Sequence, residues 1–277
     1  MALGEGDPTL LIGLLDGPVA VDHVGLAGQS VVEVTGGDGR AVACVVRDSA
    51  ACRHGTLVAG VLVAQRGLPA PGVCPGCRLL VRPIFSEGRR AEAMPQKLAA
   101  GIVECVAAGA RIVNVSAAFI KTVSPGGSEL TETLEHAARR GAIVVAAAGN
   151  EARIGGSPLT SHPWVIPVTS CDGWGRPLAG SNMGASIARH GLRAPGTGIM
   201  SLNAAGGYAP LHGTSGAAAL VTGAIALAWS AVPTASAGQV RAAVTGTAVG
   251  RRGLVPPLLD ALALYQALTT SSTEVSR

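Results

Sequence analysis

Residues 211–229 read LHGTSGAAALVTGAIALAW. From Gly216 onward small and aliphatic residues fill every side of the helix this stretch predicts. A helix apolar all round has no face for water and belongs inside a core. Its most apolar part, 216–232, is interrupted by Thr222, Gly223 and Ser230 and is short for a bilayer span. The reading is therefore a buried core helix over 214–231. One feature does not fit burial alone: a hydroxyl, Ser215, stands at its head.

Working outward, apolar runs alternate with helical patterns. TLLIGLL (9–15) is a continuous apolar run ending in Asp16, as a buried parallel strand would be. HGTLVAGVLVAQ (54–65) has helical spacing, and short strands are expected before it at 30–34 and 41–46. RLLVRPI (78–84) and RIVNVS (111–116) read as strands, with a helix between them at 91–109 closed by Gly109. SELTETLEHAARRG (128–141) carries acids early and arginine late, as a helix dipole favours. AIVVAAAGN (142–150) and WVIPVTS (164–170) are strands, and helices near 236–245 and 258–268 close the chain. Repeated βα units predict an α/β fold of three layers, a mainly parallel central sheet with helices on both faces. No repeat or linker interrupts it. The expectation is one domain over residues 1–277, with LTTSSTEVSR (268–277) as a loose tail.

Composition excludes several classes. Charged residues are 14% and mean hydropathy is +0.41, a globular rather than a disordered balance. Aromatics are 3%, so aliphatic side chains must fill the core. The net charge of +4 comes from scattered arginines, 19 against 2 lysines, with no basic stripe interleaved with aromatics. That argues against nucleic acid as a partner. The first residues, MALGEGDPTLLIGLLDGP, have neither a basic n-region nor a long apolar core. The expectation is a cytoplasmic protein with no membrane partner.

In a parallel sheet, functional groups gather at the carboxyl ends of strands and at the helix starts that follow. Four polar residues stand there: Asp16, His54, Asn150 and Ser215. Singly, each has a plain reading as a turn residue, a helix cap or a strand terminator. Together they make a chemical set. A serine hydroxyl is a poor nucleophile until a base takes its proton. His54 would be that base, and Asp16 would hold its tautomer and stabilise its charged form. The Asn150 amide and the Ser215 backbone N–H would receive the oxyanion.

The chain resembles the subtilase family of serine proteases along nearly its whole length. IGLLDGPV (12–19) is similar to the family's aspartate motif and HGTLVAG (54–60) to its histidine motif. VVAAAGN (144–150) is similar to the oxyanion asparagine motif, and GTSGAAALVTG (213–223) to the serine motif. RAPGTGIMS (193–201) resembles the segment that leads to the serine. DGPV, ACRHGT (51–56) and CRLLVRPIF (77–85) look closer to one branch, the cyanobactin-maturation proteases, which process ribosomally made precursor peptides inside the cell. The resemblance implies a serine endopeptidase that needs no cofactor, with a peptide or precursor peptide as partner. A structural calcium is not indicated, because acidic residues are few and scattered. Oligomeric state is left open.

The resemblance also places a peptide. Asn114, Ser116, Ala117 and Ala118 would lie along it by strand addition, with Ala147, Ala148 and Gly149 on its other side. Ser116-Ala117-Ala118, followed by Phe119, replaces the family's usual Ser-Leu-Gly and implies a narrowed S1 pocket. Gly216 and Ala219 replace a bulkier residue and a proline. Cyclising members of the branch carry a helical insertion between the aspartate and histidine motifs. Here that interval is 38 residues and already occupied by strands, so hydrolysis is expected. The remaining signals are plainer. TGGDGR (35–40) lacks the lysine of a phosphate loop and reads as a turn. His23, His136, His162, His190 and His212 read as surface or structural. Cys44, Cys52 and the pair in CPGC (74–77) leave free thiols, disulfides and a four-cysteine zinc site open.

Overall fold

The computed structural model describes residues 4–34, 44–87, 95–116, 127–248 and 253–275. The chain opens with β1 (Leu11–Asp16), a 3₁₀ turn (Val24–Leu26) and β2 (Val31–Glu33), followed by α1 (Ala50–Val63). Next come β3 (Arg78–Pro83), α2 (Pro95–Ala107), β4 (Ile112–Val115), α3 (Gly127–Arg139) and β5 (Ile143–Ala147). A short α4 (Pro158–Ser161) leads to β6 (Val165–Cys171), α5 (Ala185–His190) and β7 (Leu192–Pro195). A hairpin of β8 (Ile199–Leu202) and β9 (Tyr208–Leu211) runs into α6 (Thr214–Ala231), then α7 (Ala237–Gly246) and α8 (Ala261–Val275).

Seven strands form one sheet in the order β2-β3-β1-β4-β5-β6-β7, and every pairing in it is parallel. β8 and β9 pair antiparallel outside it. The sheet's two faces are separate cores. Ile12, Leu14, Ile112, Ile143 and Val145 pack with α1 and α6. Leu15, Val113, Val115, Val144 and Ala146 pack with α2 and α3 on the other side. Successive residues of a strand point to opposite faces, and the split follows that alternation. The expected three-layer architecture is therefore present. Among the described residues α6 is the one helix long and apolar enough to cross a membrane, and it lies in this core.

Some boundaries differ from the sequence reading. α1 begins at Ala50, not His54, because Ser49 caps it: its hydroxyl accepts the Cys52 N–H at 3.1 Å. His54 thus lies in the second turn. Residues 44–46 form no strand, and 35–43, with TGGDGR and the rest of the expected 41–46 strand, fall outside the described residues. The expected loose tail from 268 continues α8 as far as Val275. Leu264 and Leu268 seat that helix, and no proline or glycine follows to stop it.

Two glycines set how α1 meets the sheet. A Cβ on Gly17 would stand 2.0 Å from the Ala51 carbonyl oxygen. A Cβ on Gly55 would stand 2.5 Å from the Gly17 carbonyl oxygen and 2.6 Å from that of Pro18. The helix backbone therefore rests directly on the chain leaving β1. Gly55→Ala forces that contact apart. We expect a loss of about 1–3 kcal/mol in chemical denaturation, as overpacking costs, together with weakened activity as His54 moves with its helix.

Candidate active site

Asp16 ends β1 in phase with Ile12 and Leu14, so its side chain faces α1 and α6. It is fully buried. Its Oδ1 accepts the Gly17 N–H at 2.6 Å and lies 2.7 Å from His54 Nδ1, with Oδ2 at 3.0 Å from the same nitrogen. A buried carboxylate needs such partners. Nδ1 must carry the proton to donate to a carboxylate, which leaves Nε2 as the free base of the neutral ring. The His54 side chain is 35% exposed. The Asp16 charge raises the His54 pKa above its ordinary value; burial opposes this and the hydrogen bond to Asp16 adds to it.

Asn150 follows β5, on the same edge of the sheet. It is exposed, and its Oδ1 accepts the Thr214 N–H at 3.0 Å. That bond fixes the amide's orientation and leaves the Nδ2 group free to donate, close to the helix start: a Cβ on Gly213 would stand 3.0 Å from it. Thr214 is a residue the sequence reading passed over. It is buried, and its Oγ1 accepts the Gly149 N–H at 3.2 Å. One residue thus joins the Asn150 loop to α6 twice. Asn182 is a second omission: its Nδ2 donates to the Ala148 carbonyl, and its Oδ1 accepts from Glu151 and Arg153. The Gly-Thr preceding Ser215 was the available signal for the first; the sequence near Asn182 offers none.

Ser215 sits in the first turn of α6. It is not the helix cap: Gly213 holds that place at φ 91°, with no side-chain cap. A Cβ on Gly213 would stand 2.7 Å from Asn150 Oδ1, so only glycine lets the two approach. First-turn N–H groups have no intrahelical acceptor, and the helix end carries positive potential. Gly216 has its own reason: a Cβ there would stand 2.8 Å from Ile199 Cδ1, so Ile199 occupies the space a bulkier residue would need.

The expected peptide-binding residues divide. Ala117, Ala118 and Phe119 lie outside the described residues. Asn114 does not face a peptide. It is fully buried on the α6 face, accepting from Thr222 Oγ1 at 2.9 Å and donating to Ser116 Oγ at 3.1 Å. Ala147, Ala148 and Gly149 are buried too. The Ala148 N–H and carbonyl and the Gly149 N–H and carbonyl are bonded to Val168, Asn182, Thr214 and Asn182 respectively. These bonds fix the backbone that leads into Asn150. The four-cysteine zinc alternative also fails: Cys44 and Cys52 form a disulfide, while Cys74 and Cys77 are free and buried. His23 is structural, accepting the Gly25 N–H and bonded to the Gly207 carbonyl.

The subtilase family model, Peptidase_S8, matches residues 8–271. The chain belongs to the subtilase family. Subtilisin DY of Bacillus licheniformis is 30% identical over 259 residues, 89% of this chain and 86% of its own. Several other subtilisins match over 70% of this chain and 50% of their own length. Among solved structures, a mutant of the protease domain of PatA superposes with TM-score 0.89 at 29% identity, covering 96% of this chain and 97% of that one. The prenylagaramide maturation protease PagA gives TM-score 0.85 at 26% identity, covering 97% and 96%. This subtilase is a serine endopeptidase of subtilisin-like fold.

The Asp16–His54 pair makes a prediction independent of any substrate. An NMR titration of the His54 ring should show a midpoint above the ordinary 6.5, and Asp16→Asn should lower it. The sign for stability follows. The extra stability of the charged pair is full below 6.5 and is lost as pH rises through the raised value. A midpoint unmoved in the variant would separate the two residues.

Proposed function

We propose that this subtilase hydrolyses peptide bonds with Ser215 as nucleophile, His54 as general base and acid, and Asp16 as the group that orients His54. The carrying observation is the buried Asp16 carboxylate 2.7 Å from His54 Nδ1, on the sheet edge where Asn150 is bonded to the helix start that holds Ser215. In this reading His54 Nε2 takes the Ser215 proton as Oγ attacks the scissile carbonyl. Asn150 Nδ2 and the Ser215 N–H meet the oxyanion. His54 then returns the proton to the leaving amine, and water repeats the sequence on the acyl-enzyme.

We further assign the substrate as a ribosomally made precursor peptide, met in the cytoplasm. The likeness to PagA, a maturation protease by name, supports this. A subtilase fold that only binds peptides is the competing reading, and a fluorophosphonate decides between them because only an activated serine reacts. Wild-type protein should label at Ser215, and Ser215→Ala should lose both labelling and hydrolysis while remaining folded. Asn150→Ala should keep KM and lower kcat by about 10²–10³-fold. A variant that loses affinity alone would place Asn150 outside the oxyanion site.

The products are expected to be linear. Between Asp16 and Ala50 the described residues hold only the 3₁₀ turn and β2. With no inserted helix pair among the described residues of that interval, we expect water to reach the Ser215 ester and outcompete a peptide amine. Mass spectrometry of a digested precursor should show linear fragments as the main species. A main product one water lighter would instead mean cyclisation.

A further inference from the structure

We infer that the Cys44–Cys52 disulfide is a positioning element for His54, closing a ring of bonds around the Asp16–His54 pair and making the reaction rate depend on thiol state. The inference rests on the reading of His54 as the base.

The ring can be followed residue by residue. The Asp16 carbonyl accepts the Ile84 N–H at 2.8 Å and the Phe85 N–H at 3.3 Å. Two residues on, the Glu87 carboxylate accepts the Val45 N–H at 3.0 Å and the Val46 N–H at 2.9 Å. Cys44, next to Val45, is bonded to Cys52, and its N–H donates to the Val19 carbonyl at 3.2 Å. Cys52 lies two residues before His54 on α1, and His54 returns to Asp16 at 2.7 Å. The disulfide is the covalent link of that ring.

Its surroundings agree. Ala20, Cys52 and Ala204 form a small buried cluster of their own, with Cys44 packed against it. Ala20 follows Asp16, Cys52 precedes His54, and Ala204 lies in the hairpin that leads to Ser215. The three segments that carry the proposed catalytic groups meet at this bridge. Arg47, three residues after Cys44, donates to the Ala204 carbonyl at 3.2 Å and pairs with Asp22. Val45 is 77% exposed, so apolar burial does not hold this segment down; the bridge and Glu87 do.

Cys44 is half-buried while Cys52 is fully buried, so a thiol meets the Cys44 sulfur first. The thiolate of a dithiol attacks Cys44 Sγ, and Cys52 leaves as a thiolate that takes a proton. The reagent's second thiol then displaces Cys44, and the reagent closes to its own disulfide. Cys44 and Cys52 gain two electrons and two protons, which the dithiol loses. Cytosolic disulfides, where they occur, are commonly of this reversible kind.

The test compares fluorophosphonate labelling of Ser215 across pH in untreated protein, dithiothreitol-treated protein and Cys44→Ser. Opening the bridge should slow plateau labelling about tenfold, since small displacements of catalytic groups cost that much or more. It should also move the acid limb to lower pH, because a loosened Asp16 no longer holds the His54 pKa up. Loss of fold alone would lower the amplitude and leave the limb in place. Reoxidation with glutathione disulfide should restore both, and Cys44→Ser should behave as reduced protein with or without dithiol. Equal rates and limbs in the untreated and reduced protein overturn the inference. So does a Cys44→Ser protein that still responds to dithiol, which would put the effect on another cysteine. If Cys44→Ser does not fold, the reduced wild type still decides. Labelling of His54→Ala at the wild-type rate would instead remove the base assignment, whatever the thiol state.

Discussion

The Asp16 carboxylate is the constraint on which the site is built. It is fully buried at the end of a central strand, where an unpaired charge would cost several kcal/mol. The fold meets that cost locally. Gly17 turns its N–H back onto Oδ1, and α1 comes close enough for His54 to offer Nδ1. The close approach is possible because Gly17 and Gly55 have no Cβ to keep helix and loop apart. The charge at the strand end, the two glycines and the histidine are one solution to one problem. A more exposed aspartate would not need them and would not raise the His54 pKa as this one does.

Much of this was legible in the sequence because buried parallel strands read as apolar runs whose ends are marked by polar residues. A continuous apolar run ending in aspartate marked β1 and put Asp16 at the strand's carboxyl end; the structure adds that it shares a face with Ile12 and Leu14. Asn114, which the resemblance put along a peptide, is a different case. It too lies on the α6 face, but the sequence could not show that Thr222 would be there to take its amide. A polar residue on a buried strand reads alike whether it meets a ligand or a helix, and only the packing separates the two. The 147–149 segment is held by groups the local sequence could not reveal: Asn182 bonds Ala148 from 34 residues away and Thr214 bonds Gly149 from 65.

Local signals misplaced other boundaries. His54 opened the helical pattern by hydrophobic spacing, but Ser49 caps α1 five residues earlier, and the helix-favouring AACR turn it starts was not counted because the apolar period begins later. The disulfide was undecided because cysteine spacing does not fix pairing. Cys44 and Cys52 lie 5.6 Å apart at Cα, in a segment that Glu87, the Val19 carbonyl and Arg47 tie to the chain around α1.

The enclosed helix explains the oddity of its head. A helix usually starts with a side chain that satisfies its first N–H groups, and replacing such a cap costs about 1 kcal/mol. α6 has none. Its cap residue is Gly213, and the Thr214 N–H is satisfied from outside, by Asn150. The helix can forgo a cap because burial holds it: Val221, Ile225 and Trp229 are fully enclosed, and the Arg111 guanidinium lies 4.0 Å over the Trp229 ring near its far end. What a cap would have occupied stays available, with the dipole's positive end and first-turn N–H groups beside Ser215. An all-apolar helix thus suits a nucleophile. Stability that comes from the body of the helix frees its N-terminus for chemistry.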